Sequence, residues 1–466
     1  MFVGRKSELE SLNKNYNKNN FQLAVVYGRR RVGKTTLINE FCKNKRTVYF
    51  VALETTAKEN LEILSKQILS AAAPTAPLNS FLSFYEAVNY IFEYSKNERL
   101  IFVIDEYPYL AESDKSISSI LQAATDKYQH ESQLFLILCG SSMSFMENQV
   151  LGYKSPLYGR RTCQFKILPF NYYDCSEMLY NFSDEEKIVL YGITGGIPEY
   201  VFRIDNSLSV AENAEELIFN PSGRLFEEPS NLLKQELKMP QTYNGIITAI
   251  ASGSSRLNEI ATKTGIETSQ CSNMLNTLIS LELVKKEYPI TEEKPRKTIY
   301  ALEDNLFKFW YRFVLPNISR ITAGLGKTVC AEVFESQQIN NYTGYIFEEC
   351  CKQYMWRMAS SDNPLFYFQQ IGRWWGNNKS ERREEEIDFI AYSNQKKTAV
   401  FGECKWKNES LNYDVLEDLI RKSELFVEFK EKYYILFSKL SFDHKLQDDV
   451  KKNKYVKLIN VYDMFL

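Results

Sequence analysis

The segment Gly28–Thr35, which reads GRRRVGKT, decides the fold of the first part of this chain. It follows the short apolar run LAVVY and precedes TLINEFCK, a stretch that favours a helix. A glycine-rich loop between a buried strand and a helix fits the GxxxxGK[ST] pattern, whose backbone N–H groups face phosphate oxygens. The sequence therefore predicts an ATP-binding loop, whose expected contact residues are Gly28, Arg31, Val32, Gly33, Lys34, Thr35 and Thr36.

Further apolar runs indicate the sheet to which this loop belongs. They occur at 47–52, 100–104, 134–139 and 165–168, and helical stretches separate them. Continuously apolar strands that alternate with helices are typical of a parallel sheet covered on both faces. The predicted fold class of this part is therefore α/β, a P-loop parallel sheet with helices on both faces; the later segments described below predict a winged helix-turn-helix and a restriction-endonuclease-like α/β domain.

Acidic residues at the end of one apolar run extend the predicted nucleotide site. In LIFVIDE, Asp105 and Glu106 end a buried strand. We expect Lys34 to reach the β- and γ-phosphates, and Thr35 and Asp105 to hold Mg²⁺. Glu106 would polarise the attacking water, which favours hydrolysis over transfer to another acceptor. The two acids could instead simply end the strand.

Two further segments offer residues for the γ-phosphate. The run at 134–139 ends in Gly140, Ser141 and Ser142, where a hydroxyl could sense this phosphate or form a simple turn. The segment SPLYGRR supplies Arg160 and Arg161. Charge on the γ-phosphate in the transition state calls for an arginine, from the same chain or from a neighbouring subunit of a homo-oligomer. Arg160 is the preferred candidate, although surface arginines are common.

Several motifs together resemble the archaeal-type ATPase family, which is related to the AAA+ and STAND nucleotide switches. They are FVGRKSEL, GRRRVGKT, IDEYPYL, SPLYGRR with ILPF after it, and GGIPEY, and the resemblance covers roughly residues 1–230. The resemblance implies that an N-terminal stretch lies near the adenine, namely Phe2, Val3, Gly4 and Arg5. It also implies that a GxP element couples the nucleotide to the following domain, namely Gly196, Ile197 and Pro198.

The middle of the chain has the layout of a winged helix-turn-helix. Three helical stretches from Tyr243 onward precede two strands that flank the charged turn TEEKPRK. The third helix, about 267–281, carries no Lys or Arg, and the segment 241–320 has ten basic against eight acidic residues. A DNA-binding surface normally has a larger basic excess. DNA contact through Lys294, Arg296 and Lys297 and a purely structural module both remain open.

The last part of the chain contains a second set of reactive side chains. EEEIDFIA supplies Asp388 and FGECKW supplies Glu403 and Lys405, which fits the D…ExK pattern of restriction-endonuclease-like folds. Glu403 and Lys405 leave the same face of one strand. Two carboxylates would hold Mg²⁺, with Glu348 as an upstream acid, while Lys405 would orient or deprotonate water. The predicted metal ligands here are therefore Glu348, Asp388 and Glu403.

This C-terminal part also resembles the domain often appended to archaeal-type ATPases and classed with PD-(D/E)xK nucleases. The resemblance implies a nuclease-like fold, whereas cleavage is a separate claim. Segment 341–466 has twenty basic and twenty acidic residues, so its charge does not favour cleavage over a binding role. Trp374, Trp375 and Trp406 could stack on bases, although core packing is the more ordinary role for tryptophan.

The predicted organisation has four domains. They are an ATPase core at 1–175, a helical lid-like subdomain at 176–238, a winged helix at 239–320 and a nuclease-like domain at 341–466, with a linker-like stretch from about 318 to 341. The leading hypothesis is an ATP-driven protein that acts on DNA. A STAND-like signalling or scaffold ATPase, whose nuclease-like domain only binds, is the alternative, and a loader without cleavage is a third.

Composition limits the setting in which the chain is expected to work. Of 466 residues, 44% are hydrophobic and 25% charged, with a net charge of −2, which is ordinary for globular domains. None of the nine cysteines forms a CxxC pair, and only two histidines are present, so a zinc site is not expected. The start has no apolar signal core, and no apolar run is long enough to span a bilayer. We therefore expect a cytoplasmic protein with reduced thiols and no membrane partner.

Overall fold

The computed structural model describes residues 2–72, 80–292, 297–361, 366–378, 381–395 and 397–466. The chain divides into two units, Met1–Pro169 and Phe170–Leu466. Within the described residues, no helix combines the length and apolar content that crossing a membrane requires.

A five-stranded parallel sheet forms the centre of the first unit. Its strand order is β2-β3-β4-β1-β5, so the strand that precedes the glycine loop lies between β4 and β5. Every residue of β1, β3 and β4 is buried, which explains their unbroken apolar sequences. The strands are β1 (Gln22–Tyr27), β2 (Thr47–Val51), β3 (Leu100–Asp105), β4 (Leu134–Gly140) and β5 (Cys163–Lys166).

Helices connect these parallel strands, as parallel pairing requires. Their apolar side chains complete the core: Val88, Ile91, Leu110 and Leu121 pack in one buried cluster with alternate residues of the sheet. The helices are α1 (Lys6–Tyr16), α2 (Lys34–Cys42), α3 (Ala57–Ala72), α4 (Phe84–Tyr94), α5 (Tyr107–Ser113), α6 (Ile117–Tyr128) and α7 (Met143–Phe145).

The second unit begins with short helices whose ends are marked in the sequence. Ser183 with Glu186 and Ser209 with Glu212 form capping boxes, each satisfying two backbone donors at a helix start. The segment GGIP ends α9 and begins α10, because Gly195 has a left-handed backbone conformation after the last turn of α9 and Pro198 is the first residue of α10. These helices are α8 (Tyr172–Ser176), α9 (Asp184–Thr194), α10 (Pro198–Val201), α11 (Val210–Leu217) and α12 (Glu228–Glu236).

Three helices and a hairpin follow, in the order that the sequence predicts for the middle module. Strands β6 and β7 pair antiparallel, and Ile246, Ile260, Leu275 and Leu278 form the buried side of the helices. The elements are α13 (Pro240–Ala251), α14 (Leu257–Thr264), α15 (Thr268–Ser280), β6 (Val284–Glu287) and β7 (Ile299–Leu302). Of the three basic turn residues, Lys294 and Arg296 lie outside the described residues.

A mixed sheet forms the end of the second unit. Its order is β12-β11-β10-β9-β8: β8, β9 and β10 pair antiparallel, whereas β10, β11 and β12 pair parallel. The remaining elements are α16 (Asn305–Phe309), α17 (Ile318–Arg320), α18 (Gly326–Glu335), α19 (Gln337–Ala359), β8 (Gln370–Asn378), β9 (Arg383–Ser393), β10 (Thr398–Lys405), α20 (Tyr413–Ser423), β11 (Glu431–Ser438), α21 (His444–Lys452) and β12 (Val456–Asn460).

One local expectation was wrong. The stretch predicted to resemble a linker is helical, and α18 buries Val329, Cys330 and Val333 on one side. Strand β8, the first of the C-terminal sheet, begins at Gln370. It is an edge strand with mostly half-exposed residues, so its sequence GRWWGNN lacks the apolar signature of the inner strands.

Gly402 allows strands β9 and β10 to pack closely, because it has no side chain. A Cβ at Gly402 would overlap the ring of Phe389, its buried partner across the β9–β10 pair. We expect Gly402→Ala to lower the free energy of unfolding by about 1–3 kcal/mol, because extra volume in a packed core forces displacement. Denaturant titration of the full chain would measure this.

Gly245→Ala is the matched control, because a Cβ there meets nothing within 4 Å and the residue lies inside α13. This control should raise stability by about 0.5–1 kcal/mol, since alanine is the better helix former. Equal effects of the two substitutions would contradict the packing argument.

Candidate functional site

The predicted nucleotide loop joins β1 to α2 by a tight path. A Cβ on Gly28 would overlap the carbonyl oxygen of Ile167, so only glycine fits where the loop leaves the strand. Gly33 has a φ of 88° and immediately precedes α2, whose first residue is Lys34. The loop therefore ends at a helix N-terminus, the geometry in which backbone N–H groups bind anions.

Lys34 is buried and held by the loop itself. Its ammonium donates to the carbonyl oxygens of Gly28 and Arg29, each at 2.9 Å. A buried ammonium requires such acceptors, because burial without them is costly. The sequence predicts the Lys34 ammonium beside the loop, and its two contacts with carbonyl oxygens hold it there.

Asp105 is the centre of a small hydrogen-bond group at the end of β3. Its Oδ2 accepts from the Thr35 hydroxyl at 3.1 Å and from the Tyr49 hydroxyl at 2.8 Å, and Oδ1 accepts from the Glu106 N–H at 3.0 Å. Burial, reinforced by the Asp105 charge, raises the pKa of Tyr49, so this phenol remains a donor. The Thr35 hydroxyl and the Asp105 carboxylate are oxygen ligands of the kind that Mg²⁺ prefers.

Glu106 has an unusual backbone and a defined side-chain partner. Its φ of 52° is left-handed, an uncommon conformation for a residue other than glycine. Ser141, at the end of β4, donates to Glu106 Oε2 from its hydroxyl at 2.9 Å and from its N–H at 3.3 Å. Thus Ser141, for which the sequence left phosphate sensing and a simple turn both open, orients the carboxylate of Glu106.

The N-terminal FVGR stretch contacts the loop directly. Arg5 donates to the carbonyl oxygen of Val32 at 3.1 Å and also to that of Leu168. Val3 is buried within the first unit, and Gly4 and Arg5 both have positive φ. The implied position of this stretch beside the adenine stays a prediction, but its attachment to the loop is direct.

Other residues predicted for this site have different partners. Arg160 forms a bidentate pair with Asp126 of α6, with both N–O distances at 2.7 Å, and Arg161 donates to the Leu151 carbonyl oxygen at 3.3 Å. Thr35 and Thr36 are exposed at the start of α2. Pro198 belongs to the second unit, at the start of α10, so its nucleotide-coupling role stays a prediction.

The acids and the lysine predicted for the C-terminal part also come together. Asp388 on β9 accepts from the Cys404 N–H at 2.7 Å. The Lys405 ammonium contacts Glu403 and lies 3.9 Å from Asp388 Oδ2. Both carboxylates are buried, and Glu403 Oε2 accepts no hydrogen bond among the described residues. Adjacent antiparallel strands therefore bring Asp388, Glu403 and Lys405 to one place.

Burial and mutual repulsion change how these acids hold protons. Burial, with the Asp388 charge second, raises the pKa of Glu348 to about 8, and the same two causes raise the pKa of Glu403. Burial acts to lower the pKa of Lys405, but the carboxylates of Glu403 and Asp388 outweigh it and raise this pKa. Crowded acids next to one ammonium form a site that favours a cation.

The metal prediction is not tested by this arrangement. Among the described side chains, no group of three or more Asp, Glu, His or Cys residues is positioned to hold a metal ion. Instead, the Lys405 ammonium contacts Glu403 and faces Asp388. A second lysine, Lys422 of α20, lies 4.0 Å from Glu403 Oε2. Mg²⁺ binding by Glu348, Asp388 and Glu403 therefore stays a prediction.

Sequence reasoning missed two contributors to these sites. Tyr49 was hidden in an apolar run, although β2 pairs directly with the strand that ends in Asp105. Lys422 was part of an amphipathic helix with no visible link to ExK. A polar hydroxyl inside a strand next to the strand that ends in Asp105 is the signal that could have identified Tyr49.

The parallel sheet, the glycine loop and the acids at its edge define the class of P-loop ATPases. A family described as an ATPase domain predominantly from Archaea matches residues 2–204, and one described as "Archaea bacterial proteins of unknown function" matches residues 310–417. An uncharacterized protein of Methanocaldococcus jannaschii is 34% identical over 447 residues, 94% of this chain and 96% of that protein. The chain belongs to this archaeal ATPase family.

Two further comparisons concern a short segment of the chain and the fold. An uncharacterized ATP-binding protein of Methanocaldococcus jannaschii is 56% identical over 46 residues, 10% of this chain and 78% of that protein. A Walker-type ATPase of Pyrococcus abyssi aligns with 67% of this chain and 96% of its own, with a TM-score of 0.52 and 19% identity. The second likeness shows a shared fold.

The contact between Ser141 and Glu106 gives a prediction about turnover. Ser141→Ala removes a hydrogen bond to a carboxylate, which costs about 1.5–3 kcal/mol. If Glu106 polarises water, kcat for ATP hydrolysis should fall about ten- to a hundredfold, with nucleotide affinity little changed. Phosphate release and nucleotide titration measure the two quantities. Ser144→Ala, at an exposed position of α7, is the control, and equal turnover in both variants would remove Ser141 from this role.

Proposed function

We propose that the first unit binds ATP with Mg²⁺ at the loop 28–36 and hydrolyses it. The observation that carries this proposal is that Lys34 and Thr35 at the start of α2 lie beside the loop and Asp105 at the end of β3, with Lys34 bonded to the loop carbonyls and Thr35 bonded to Asp105. Bound Mg²⁺ would neutralise phosphate charge. Thr35 and Asp105 would hold it, and the loop N–H groups would hold the β-phosphate.

The remaining roles follow from where charge changes during hydrolysis. Glu106 polarises the attacking water, and Ser141 keeps its carboxylate in one orientation. Arg160 supplies positive charge to the transition state, which requires its pair with Asp126 to open. Phe2, Val3, Gly4 and Arg5 bind the adenine side, supported by the bond from Arg5 to Val32. Pro198 couples the nucleotide to the next domain.

Substitution of the loop lysine tests the ATPase proposal. Lys34→Ala removes the only lysine of the loop, so ATP affinity should fall at least tenfold and hydrolysis should become undetectable. Lys43→Ala, at the other end of the same helix with a side chain 66% exposed, is the matched control and should behave as wild type. Wild-type turnover in Lys34→Ala would refute the assignment.

We propose further that the second unit acts on DNA through the winged-helix-like module and a Mg²⁺-dependent nuclease-like domain. Two observations support this. The element order α19-β8-β9-β10-α20-β11 brings Asp388, Glu403 and Lys405 to one place on adjacent strands. The hairpin β6–β7 extends toward a turn whose described part includes the basic residue Lys297.

In this second proposal each residue has a separate task. Asp388 and Glu403, with Glu348 upstream, would hold Mg²⁺, which would polarise the scissile phosphate. Lys405 would orient the attacking water, since its raised pKa keeps it charged as a hydrogen-bond donor. Metal binding would require the Lys405 ammonium to move from its contact with Glu403.

DNA cleavage is tested with plasmid and linear DNA, with Mg²⁺ or Mn²⁺, and with or without ATP. Wild type should cut only when metal is present, and both Glu403→Gln and Lys405→Ala should lose cutting because each removes one member of the set. Lys407→Ala, two residues farther along and 59% exposed at its side chain, is the matched control. Cutting that survives Lys405→Ala would show that the active site lies elsewhere.

A STAND-like switch or scaffold is the second candidate function. It is favoured by one observation: the described carboxylates form no ready group of three metal ligands, while Lys405 neutralises two of them. In that case nucleotide state would control assembly of copies of the chain, and the C-terminal domain would only bind. ATP hydrolysis without DNA cutting in the same experiment would support this candidate.

A further inference from the structure

Two cavities of about 380 and 360 Å³ adjoin within the second unit, because they share Glu287, Glu349, Lys352 and Arg373. Residues of α13, β6, β7, α16, α19 and β8 line them. We name the combined depression the hairpin groove, because the β6–β7 hairpin forms one of its walls. Each cavity has the volume of a small-ligand pocket.

The lining of the hairpin groove contains more basic than acidic residues, although two further glutamates, Glu303 and Glu386, pair with its Lys285 and Arg373. Its acidic lining residues are three glutamates: Glu287, Glu348 and Glu349. Its basic lining residues are twice as many: Lys285, Lys286, Lys308, Arg312, Lys352 and Arg373. Lys286 and Arg312 are exposed, so their charges face solvent and an approaching anion.

Aromatic rings line the groove together with these charges. Tyr345, Trp356 and Tyr288 are 56%, 45% and 44% exposed, and all three line the groove with Trp375. Trp356 packs one part of its ring against Phe368, with centroids 4.6 Å apart, and leaves 45% of the residue exposed. Trp406 packs against Phe347, with centroids 5.1 Å apart, and is buried. The groove therefore offers three exposed rings to a ligand, although other exposed rings, such as Tyr180 and Tyr462, lie elsewhere in the second unit.

The groove also reaches the predicted cleavage set. Glu348 lines it and is the upstream acid proposed to act with Asp388 and Glu403. A strand held in the groove would thus pass close to those carboxylates. Arg373, on the groove floor, pairs with Glu386 on the strand that carries Asp388.

We propose that the hairpin groove binds single-stranded nucleic acid, with phosphates at its basic side chains and bases stacked on its exposed rings. Basic grooves with aromatic platforms bind single strands, because an unpaired base offers its flat face to a ring. A duplex hides those faces, and pockets of this size admit single bases. The inference rests on the proposed DNA-acting function and specifies its substrate.

Neutralisation of the two exposed cations tests the phosphate contacts. Full-length Lys286→Gln/Arg312→Gln and its control Lys430→Gln/Lys451→Gln, two exposed lysines outside the groove, would be compared by fluorescence anisotropy. The probes are a labelled 20-nucleotide DNA strand and its duplex, in EDTA to prevent cutting. The groove variant should bind the single strand at least tenfold more weakly. Its slope of log affinity against log salt should be shallower by about 1.4, since each phosphate contact contributes about 0.7.

Removal of a ring tests stacking independently of charge. Tyr345→Ala and Trp356→Ala should each weaken single-strand binding about tenfold, since stacking contributes about 1–3 kcal/mol per base. Tyr462→Ala is the matched control, because Tyr462 is 60% exposed and lies outside the groove. Thermal melting would verify that each variant is folded, so that lost binding reports the groove.

The outcomes separate this inference from the proposed function. Wild type that prefers the single strand, with losses confined to the groove variants, supports the groove. The groove inference is overturned if wild type binds DNA while all groove variants match their controls, or if wild type prefers the duplex. Either result leaves the proposed DNA-acting function intact. Wild type that binds neither probe overturns both, whereas ATP hydrolysis would be unaffected.

Discussion

The carbonyl oxygen of Ile167 lies so close to Gly28 that the chain can leave β1 only through a residue without a Cβ. This contact fixes the path of the loop, and the loop in turn fixes where α2 begins. Lys34 and Thr35 are the first two residues of that helix, so their side chains are positioned by the same constraint. The bond from Thr35 to Asp105 then ties the loop to the end of β3.

The parallel sheet extends this constraint to the rest of the nucleotide site. Because β3 and β4 run parallel and next to each other, their C-terminal ends meet, and Ser141 reaches Glu106. The N-terminal stretch is tied to the same loop through Arg5. Residues separated by more than a hundred positions thus form one site, because each is at the end of a strand or next to the loop.

In the second unit, the close pairing of β9 and β10 brings the charged side chains together. Gly402 lets the ring of Phe389 lie across β10, which allows β9 and β10 to pair closely beside Asp388 and Glu403. Both carboxylates are then buried, so their charges need a nearby cation, and Lys405 supplies it. The arrangement that suits a catalytic set is thus also an ion-paired core.

The sequence by itself determined the elements whose signal is local: the glycine loop, the buried strands of the first sheet, the three helices with their hairpin, and the spacing of Glu403 and Lys405. The glycine and lysine pattern of the loop and the apolar runs depend only on consecutive residues, so they can be recognised without a structure. Edge strand β8 and helix α18 were not identified from the sequence, because half-exposed strands and short helices have weak apolar patterns. Only the tertiary structure decided that Ser141 orients Glu106, that Arg160 pairs with Asp126, and that exposed rings and cations share one groove. Those contacts join distant segments, and their distances depend on strand order and packing that no local pattern encodes.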